Sequence, residues 1–370
     1  MPMTEILNFI DNRFEPAQDG SWLDVVEPAT GTRYARLANS GTADVARAVS
    51  AARDALPAWR QAETAERARF LNSMADLIEA RAEEFAQAES RDTGKPISLA
   101  RSVDIPRAIA NFRFFAAAAT QFASESHAMG EHAINYTLRQ PLGVVACISP
   151  WNLPIYLLSW KVAPALAAGN TVVAKPSEVT PYTASLLGEV ALESGLPGGV
   201  LNIVHGEGRN AGSALVEHPE VRGISFTGST QTGQSIASAT AAQFKKLSLE
   251  MGGKNATIVF ADCEFEKTVA AVARAAFANQ GQICLCGSRI LVERPIYDQF
   301  RDALLAHCKR LVSADPSLED TQHGALVSQA HFEKVQSYLE LAVQEGGVLL
   351  CGGPARLEGR CAGGWFVNPV

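Results

Sequence analysis

Cys284 stands in the stretch Asn279-Gln280-Gly281-Gln282-Ile283-Cys284-Leu285-Cys286-Gly287-Ser288-Arg289, a thiol flanked by a glycine turn and polar residues within an otherwise apolar segment. That setting suits a nucleophile, because a thiolate can split one difficult step into two easier ones through a covalent intermediate. A nucleophile of this kind also needs a base, an oxyanion donor and an electron-acceptor site, and the chain holds a candidate for each. Glu250, in Leu249-Glu250-Met251-Gly252-Gly253-Lys254, offers a carboxylate as general base for water, although alone it reads more simply as a solvated charge. Asn152, in Pro150-Trp151-Asn152-Leu153-Pro154, offers a side-chain amide that could donate to an oxyanion, although alone it reads more simply as a turn asparagine.

The acceptor site rests on two turns. Ile224-Ser225-Phe226 reads as a strand, and Thr227 to Gly233 opens a helix whose free backbone N–H groups would attract phosphate. The spacing of Gly228 and Gly233 imitates a P-loop, but Gln234 stands where that loop requires lysine, which argues against ATP or GTP. A plain strand-to-helix turn fits these glycines equally well. Lys175-Pro176-Ser177-Glu178 ends another strand, where Glu178 could accept from ribose hydroxyls with the lysine assisting. A carboxylate there repels a 2′-phosphate and so favours NAD over NADP, while a capped helix start explains Ser177 and Glu178 as well. Cys284-x-Cys286 with His307-Cys308 lacks the spacing of a zinc site, so no metal is expected.

Elements must bring these residues together. With 370 residues, 47% apolar and 19% charged, the chain is long enough for two or three domains with large cores. A net charge of −7 gives no reason to expect nucleic acid or an anionic membrane as partner. No apolar run approaches a membrane span, and Met1 to Phe14 does not resemble a secretory signal. Seven scattered cysteines then suggest free thiols in a reducing, cytoplasmic setting.

Turn residues between Phe9 and Val26 predict hairpin strands, and apolar spacing predicts helices over Thr42–Trp59, Thr64–Arg91 and from Pro106 through Phe122. His132 to Ile148 reads as extended, broken at Pro141-Leu142-Gly143. Strands and helices then alternate: strands Gly143–Ser149, Thr171–Lys175, Val200–Val204 and Val221–Phe226, and helices Ile155–Ala168, Tyr182–Ser194, Arg209–Glu217 and Gly233–Ala242. This is the pattern of a parallel sheet covered on both faces. A second alternation after Glu250 (strand Ala256–Phe260, helix Phe265–Ala278, strand Ser288–Val292, helix Ile296–Leu311) places a domain boundary there.

Taken together and in this order, the Trp151-Asn152, Lys175-Pro176-Ser177-Glu178, Phe226-Thr227-Gly228-Ser229-Thr230, Leu249 to Lys254 and Gly281 to Arg289 strings resemble the aldehyde dehydrogenase superfamily, from about Phe9 to Pro369; Met251 replaces the family's usual leucine. The resemblance implies an α/β fold with a Rossmann-like NAD-binding domain over residues 1–124 and 143–250, an oligomerisation hairpin over 125–142 and a catalytic domain over 251–370. It implies Cys284 as nucleophile, Glu250 as base, and Asn152 with the Cys284 N–H as oxyanion hole. Lys175 and Glu178 would hold the adenosine ribose and Gly228 to Gly233 would lie by the pyrophosphate, with Ser177, Phe226, Ser229 and Trp151 completing the cofactor site. A small aldehyde is the implied substrate, NAD the cofactor, and a homo-oligomer, dimer or tetramer, the assembly.

Asp104-Ile105-Pro106-Arg107, Asn111 to Phe115 and Ile283 to Cys286 resemble the muconic semialdehyde branch of that superfamily, whose substrates already bear a carboxylate. Arg107 would then grip that carboxylate, with Trp160 and Leu157 beside it; an exposed helix arginine is the equal alternative. The family also has a Glu-Glu-Ile-Phe-Gly-Pro-like segment and more of the catalytic domain beyond the point matching Val370. The expectation is therefore a fragment of a longer product, which alone could bind NAD without turnover.

Overall fold

The runs Val144–Ile148 and Thr171–Lys175 are apolar along most of their length, and both become central strands buried on both faces. The computed structural model describes residues 3–370. The chain opens with β1 (Thr4–Ile6), β2 (Asn8–Ile10), β3 (Arg13–Glu15), β4 (Trp22–Glu27) and β5 (Thr32–Ala38). Helices α1 (Thr42–Gln61), α2 (Thr64–Ala80) and α3 (Ala82–Thr93) follow, and then α4 (Ile97–Leu99), which runs through a π-helical turn at Ala100–Asp104 into α5 (Ile105–Gln121). The hairpin of β6 (Ser126–Met129) and β7 (Ala133–Tyr136) precedes β8 (Val144–Ile148), α6 (Pro154–Ala167), β9 (Thr171–Lys175), α7 (Tyr182–Glu193) and β10 (Leu201–Ile203). Next come α8 (Ser213–Glu217), β11 (Val221–Gly228), α9 (Thr230–Thr240) and β12 (Lys246–Met251). The last part holds β13 (Ala256–Val259), α10 (Phe265–Phe277), β14 (Arg289–Val292), α11 (Tyr297–Cys308), α12 (Gln329–Gln344), β15 (Gly353–Ala355) and β16 (Phe366–Asn368).

The main sheet has seven strands in the order β12-β11-β8-β9-β10-β2-β3, parallel from β12 to β10. Strands β8, β9 and β10 step outward one way and β11 and β12 the other, so the order reverses between β8 and β11. In open α/β sheets a crevice forms outside the carboxyl ends of the strands at such a reversal. One face of the sheet packs on α6 and α7 through Leu158 and Leu187, and α2 and α5 pack against those helices through Leu71, Met74 and Phe112. The other packs on α1, α8 and α9 through Val49, Leu215 and Ile236. In α1 the buried Val45, Ala48, Val49 and Ala52 form the stripe that turns this helix onto the sheet. A separate sheet pairs β13 with β14 in parallel. Among the described residues no helix is long and apolar enough to cross a membrane.

Several expected elements differ in detail. Strands β2 and β3 form the expected hairpin, but β4 leaves it to pair with β5 in another sheet. The single helix expected over Thr64–Arg91 is two, divided at Arg81, whose φ of −106° and ψ of 20° leave the helical range. Backbone hydrogen bonds still cross the division, from Arg81 N to Leu77 O and from Phe85 N to Arg81 O, so the apolar periodicity runs through without a break. Helix α9 starts at Thr230, not Gly233, because Ser229 caps it by accepting from Thr232 N. The run expected as extended over His132 to Ile148 is strand over β7 and β8, and the break between them is wider than expected, with no strand over residues 137–143. Strands β5 and β12 and helix α12 were not expected. The alternating Lys246, Leu247, Ser248, Leu249, Glu250 of β12 is a period-two pattern, and it makes the edge of the sheet beside β11.

Candidate active site

Four strands of the sheet deliver the candidate residues to one edge. β8 leads into Trp151 and Asn152, β9 ends at Lys175, β11 ends at Gly228, and β12 carries Glu250, paired in register with Thr227. The fifth contribution is the loop after α10. There Asn279, Gln280 and Gly281 take φ values of 50°, 56° and 72°, three left-handed residues in succession. Such backbone persists only where its surroundings over-determine it. Here Asn279 Nδ2 donates to Asn152 O at 3.1 Å and to Gln282 O at 3.3 Å. Asn152 Nδ2 donates to Gln282 O at 2.8 Å, and Gln282 Oε1 accepts from Val327 N at 3.1 Å. On the far side, Asn255 Nδ2 donates to Cys284 O at 2.7 Å and to Cys286 O at 3.1 Å.

Cys284 therefore sits half-exposed on a loop pinned on both sides. An amide nitrogen carries two N–H groups, so Asn152 can hold the loop with one and present the other to a substrate oxygen. Asn152 and the Cys284 loop are thus in direct contact. Glu250 is exposed and makes no hydrogen bond to either among the described residues. Cys286 is buried, and burial raises its thiol pKa. Cys147 is buried too, its thiol pushed up to about 12 by desolvation. Both environments suppress the thiolate.

Sequence reasoning missed Lys161. Its ammonium is buried in α6, donates to Ser225 Oγ at 3.2 Å, and faces Cys147 and Glu250. Desolvation lowers its pKa, and those two groups only partly oppose the shift. The available signal was one lysine in the apolar helix Pro-Ile-Tyr-Leu-Leu-Ser-Trp-Lys-Val-Ala. Asn279 and Gln282, which fix the loop with Asn255, stand in the Cys284 stretch, but no role was expected of them, and Asn255 lies just outside the Leu249 to Lys254 string.

A cleft of about 660 Å3 opens at the sheet's reversal point. Ile148 to Trp151 line one side, Phe226 to Ser229 the other, with Val216 and Ile236 as apolar walls. Lys175 Nζ donates to Glu178 Oε2 and to Pro176 O, both at 2.9 Å, and Glu178 Oε1 accepts from Gly208 N at 3.3 Å. Burial raises the Glu178 pKa, but the Lys175 charge and these hydrogen bonds outweigh it and leave the carboxyl below its ordinary value. Ser177 Oγ accepts from Val179 N in a local turn and caps no helix, because α7 starts only at Tyr182, after Pro181. Gly228 answers to packing, since a Cβ there would lie 2.4 Å from the buried Phe226 ring; one on Gly233 would lie 2.7 Å from Sδ of the exposed Met251, which can swing away. An apolar slot, a lysine–carboxylate pair and the N-terminus of α9 are the donor set a dinucleotide requires, so these residues fit such a cofactor. Trp151 lines the cleft and is backed by His331 of α12, ring centroids 4.8 Å apart.

The three expected substrate residues lie on α5 and α6. The guanidinium of Arg107 rests over the Tyr156 ring, 5.6 Å from its centroid, and among the described residues Arg107 has no ion-pair partner. Trp160 is 48% exposed and stands edge-on to Tyr156 and Phe115, while Leu157 is half-buried one residue after Tyr156.

Comparison with known proteins places this arrangement. A family model described as the aldehyde dehydrogenase family matches residues 14–370. Human 2-aminomuconic semialdehyde dehydrogenase is 48% identical over 368 residues, 98% of this chain and 75% of that protein. The 2-hydroxymuconic semialdehyde dehydrogenase of Pseudomonas sp. (strain CF600) is 48% identical over 375 residues, covering 100% of this chain and 77% of its own. The crystal structure of PnpE from Pseudomonas sp. WBC-3 matches with a TM-score of 0.96 at 44% identity, over 99% of this chain and 75% of that one. PnpE has also been solved in complex with nicotinamide adenine dinucleotide.

Proposed function

The chain belongs to the aldehyde dehydrogenase family, and on that premise we propose that it oxidises a carboxylated semialdehyde of the 2-hydroxymuconic or 2-aminomuconic type to the acid, with NAD as cofactor. The Cys284 thiolate adds to the aldehyde carbon, forming a C–S bond and turning the carbonyl oxygen into an oxyanion. The free N–H of the Asn152 amide and the Cys284 backbone N–H stabilise that oxyanion, an effect worth about 3 kcal/mol per donor in comparable sites. NAD, when bound, supplies the hydride acceptor that carries the thiohemiacetal to a thioester. Glu250 takes a proton from the water that opens the thioester, releasing the acid and regenerating the thiolate. Lys175, Glu178 and the α9 N-terminus hold the cofactor, with Trp151 and Phe226 in its walls.

The observation that carries the reading is the direct tie of the Asn152 amide to Gln282 O, two residues from Cys284. The substrate class rests on Arg107, an exposed cation over the Tyr156 ring with no ion-pair partner among the described residues, whose planar fork suits a carboxylate. The same reading assigns residues 1–124 and 143–250 to cofactor binding and 251–370 to catalysis. It takes the exposed β6–β7 hairpin as a contact between copies of the chain in the cytoplasm. NADH formation with 2-hydroxymuconic semialdehyde tests the reading. The wild type should turn over, Cys284→Ala should not, and Arg107→Leu should raise KM far more than it changes kcat. An unchanged KM in Arg107→Leu would remove the assigned substrate class.

A further inference from the structure

Between α3, the start of α5 and the start of α6 lies a cluster of buried charge that the mechanism above does not use. Glu89 in α3, Lys95 in the following loop and Asp104 at the end of the π-helical turn all have side chains with no exposed surface. Lys95 Nζ donates to Asp104 Oδ1 at 3.0 Å and to Glu89 Oε1 at 3.5 Å. The other oxygen of Glu89 accepts from Ile155 N at 3.4 Å. Ile155 is three residues beyond Asn152 and immediately precedes Tyr156, on whose ring the Arg107 guanidinium lies. Asp104 is three residues before Arg107, about one helical turn. The cluster therefore reaches the start of α6 through Glu89 and the start of α5 through Asp104, with Lys95 joining the two.

Stability alone does not account for it. One ammonium faces two carboxylates, and Asp104 Oδ2 is buried with no partner among the described residues. Burial raises the Glu89 pKa to about 8 and raises that of Asp104 as well, against the opposing pull of Lys95. Buried ion pairs of this kind can often be replaced by apolar groups without loss of stability. What apolar groups would not supply is a fixed vector between the helix that bears Arg107 and the turn that bears Asn152.

We propose that the buried Glu89–Lys95–Asp104 cluster is a positioning device that holds the Arg107 guanidinium at a set distance from the Asn152 turn, and so sets the preference for aldehydes whose carboxylate lies at a matching distance from the carbonyl. This rests on the reading of Arg107 as the carboxylate grip. Glu89, Lys95 and Asp104 touch neither substrate nor cofactor; they act through Ile155 and through the first turn of α5. Asn111 reinforces the same arrangement one turn further on, donating from α5 to Tyr156 O at 3.2 Å and to Ser159 Oγ at 2.9 Å.

The test compares kcat/KM for 2-hydroxymuconic semialdehyde with that for an uncharged aldehyde, hexanal, in the wild type, Arg107→Leu and Asp104→Asn. Asp104→Asn is expected to lower the ratio on the order of tenfold through KM for the charged substrate, with kcat for hexanal within about twofold of wild type, because displacing a positioned group by a fraction of an ångström acts on binding geometry. A merely structural role would lower both substrates together and would track the melting temperature. Should Asp104→Asn fail to fold, the apolar pair Lys95→Met/Asp104→Leu takes its place under the same criterion, and failure of that pair as well would make the cluster structural and overturn the proposal. If Arg107→Leu collapses the ratio and the cluster variants do not, the positioning role is wrong and the carboxylate grip stands. If Arg107→Leu leaves the ratio intact, the grip itself is wrong and the proposal falls with it.

Discussion

Replacing Asn279 should separate two contributions that the loop geometry combines. Its side chain makes two hydrogen bonds, to Asn152 O and Gln282 O, and its backbone sits at φ 50°. Each buried hydrogen bond is worth about 1 kcal/mol net, so losing both costs about 2 kcal/mol. Alanine in the left-handed region adds about 1–2 kcal/mol of strain that glycine avoids. Asn279→Ala is then expected to lose about 3–4 kcal/mol of stability and Asn279→Gly about 2 kcal/mol. Both variants free the Asn152 turn, so both should lose kcat on the order of tenfold to a hundredfold, by misplacing the oxyanion donor. Urea unfolding gives the stability difference, and steady-state NADH formation gives kcat. If both variants keep kcat within about twofold of wild type while losing stability as calculated, Asn279 does not position Asn152 for chemistry. Equal destabilisation by alanine and glycine would refute the strain assignment.

Lys175→Met should raise KM for NAD by tenfold or more at nearly unchanged kcat, since a charge-assisted hydrogen bond contributes about 1.5–3 kcal/mol; initial rates over a range of NAD measure it. His205 gives a pH prediction. Neither ring nitrogen has a partner among the described residues, and desolvation, aided by the Lys175 charge, lowers its pKa to about 3. The folded state thus resists a proton that the unfolded chain accepts near pH 6.5, so the stability is present above that pH and is lost as pH falls towards 3. Between pH 7 and 5 the wild type should lose about 2 kcal/mol more than His205→Leu, as read by urea unfolding at each pH.

Much of the fold could be read in the chain because its signals are local. The apolar runs of β8 and β9 and the stripe of α1 state their burial directly. The division at Arg81 had no such signal, because neither glycine nor proline marks it and the hydrogen bonds run across it. In the candidate site the motif residues could be named singly, but not what holds them. Asn255 and Asn279 lie tens to hundreds of residues from some of the groups they bind, and nothing in their neighbours distinguishes them from ordinary turn asparagines. Lys95, Glu89 and Asp104 are charged residues in amphipathic surroundings and read as surface until the tertiary structure buries them. The glycines of the Gly228–Gly233 turn were legible as special positions, but only Gly228 is required by packing, against the buried Phe226 ring.

Trapping the acyl-enzyme tests covalent catalysis at Cys284 with Glu250 as the hydrolytic base. Glu250→Gln is mixed with 2-hydroxymuconic semialdehyde and NAD, quenched in acid, digested, and its cysteine peptides weighed by mass spectrometry. A burst of NADH near one per site is expected, with slow turnover thereafter and an acyl adduct on the peptide bearing Cys284, at Cys284 and not Cys286. No adduct, or an adduct on another cysteine, would contradict it.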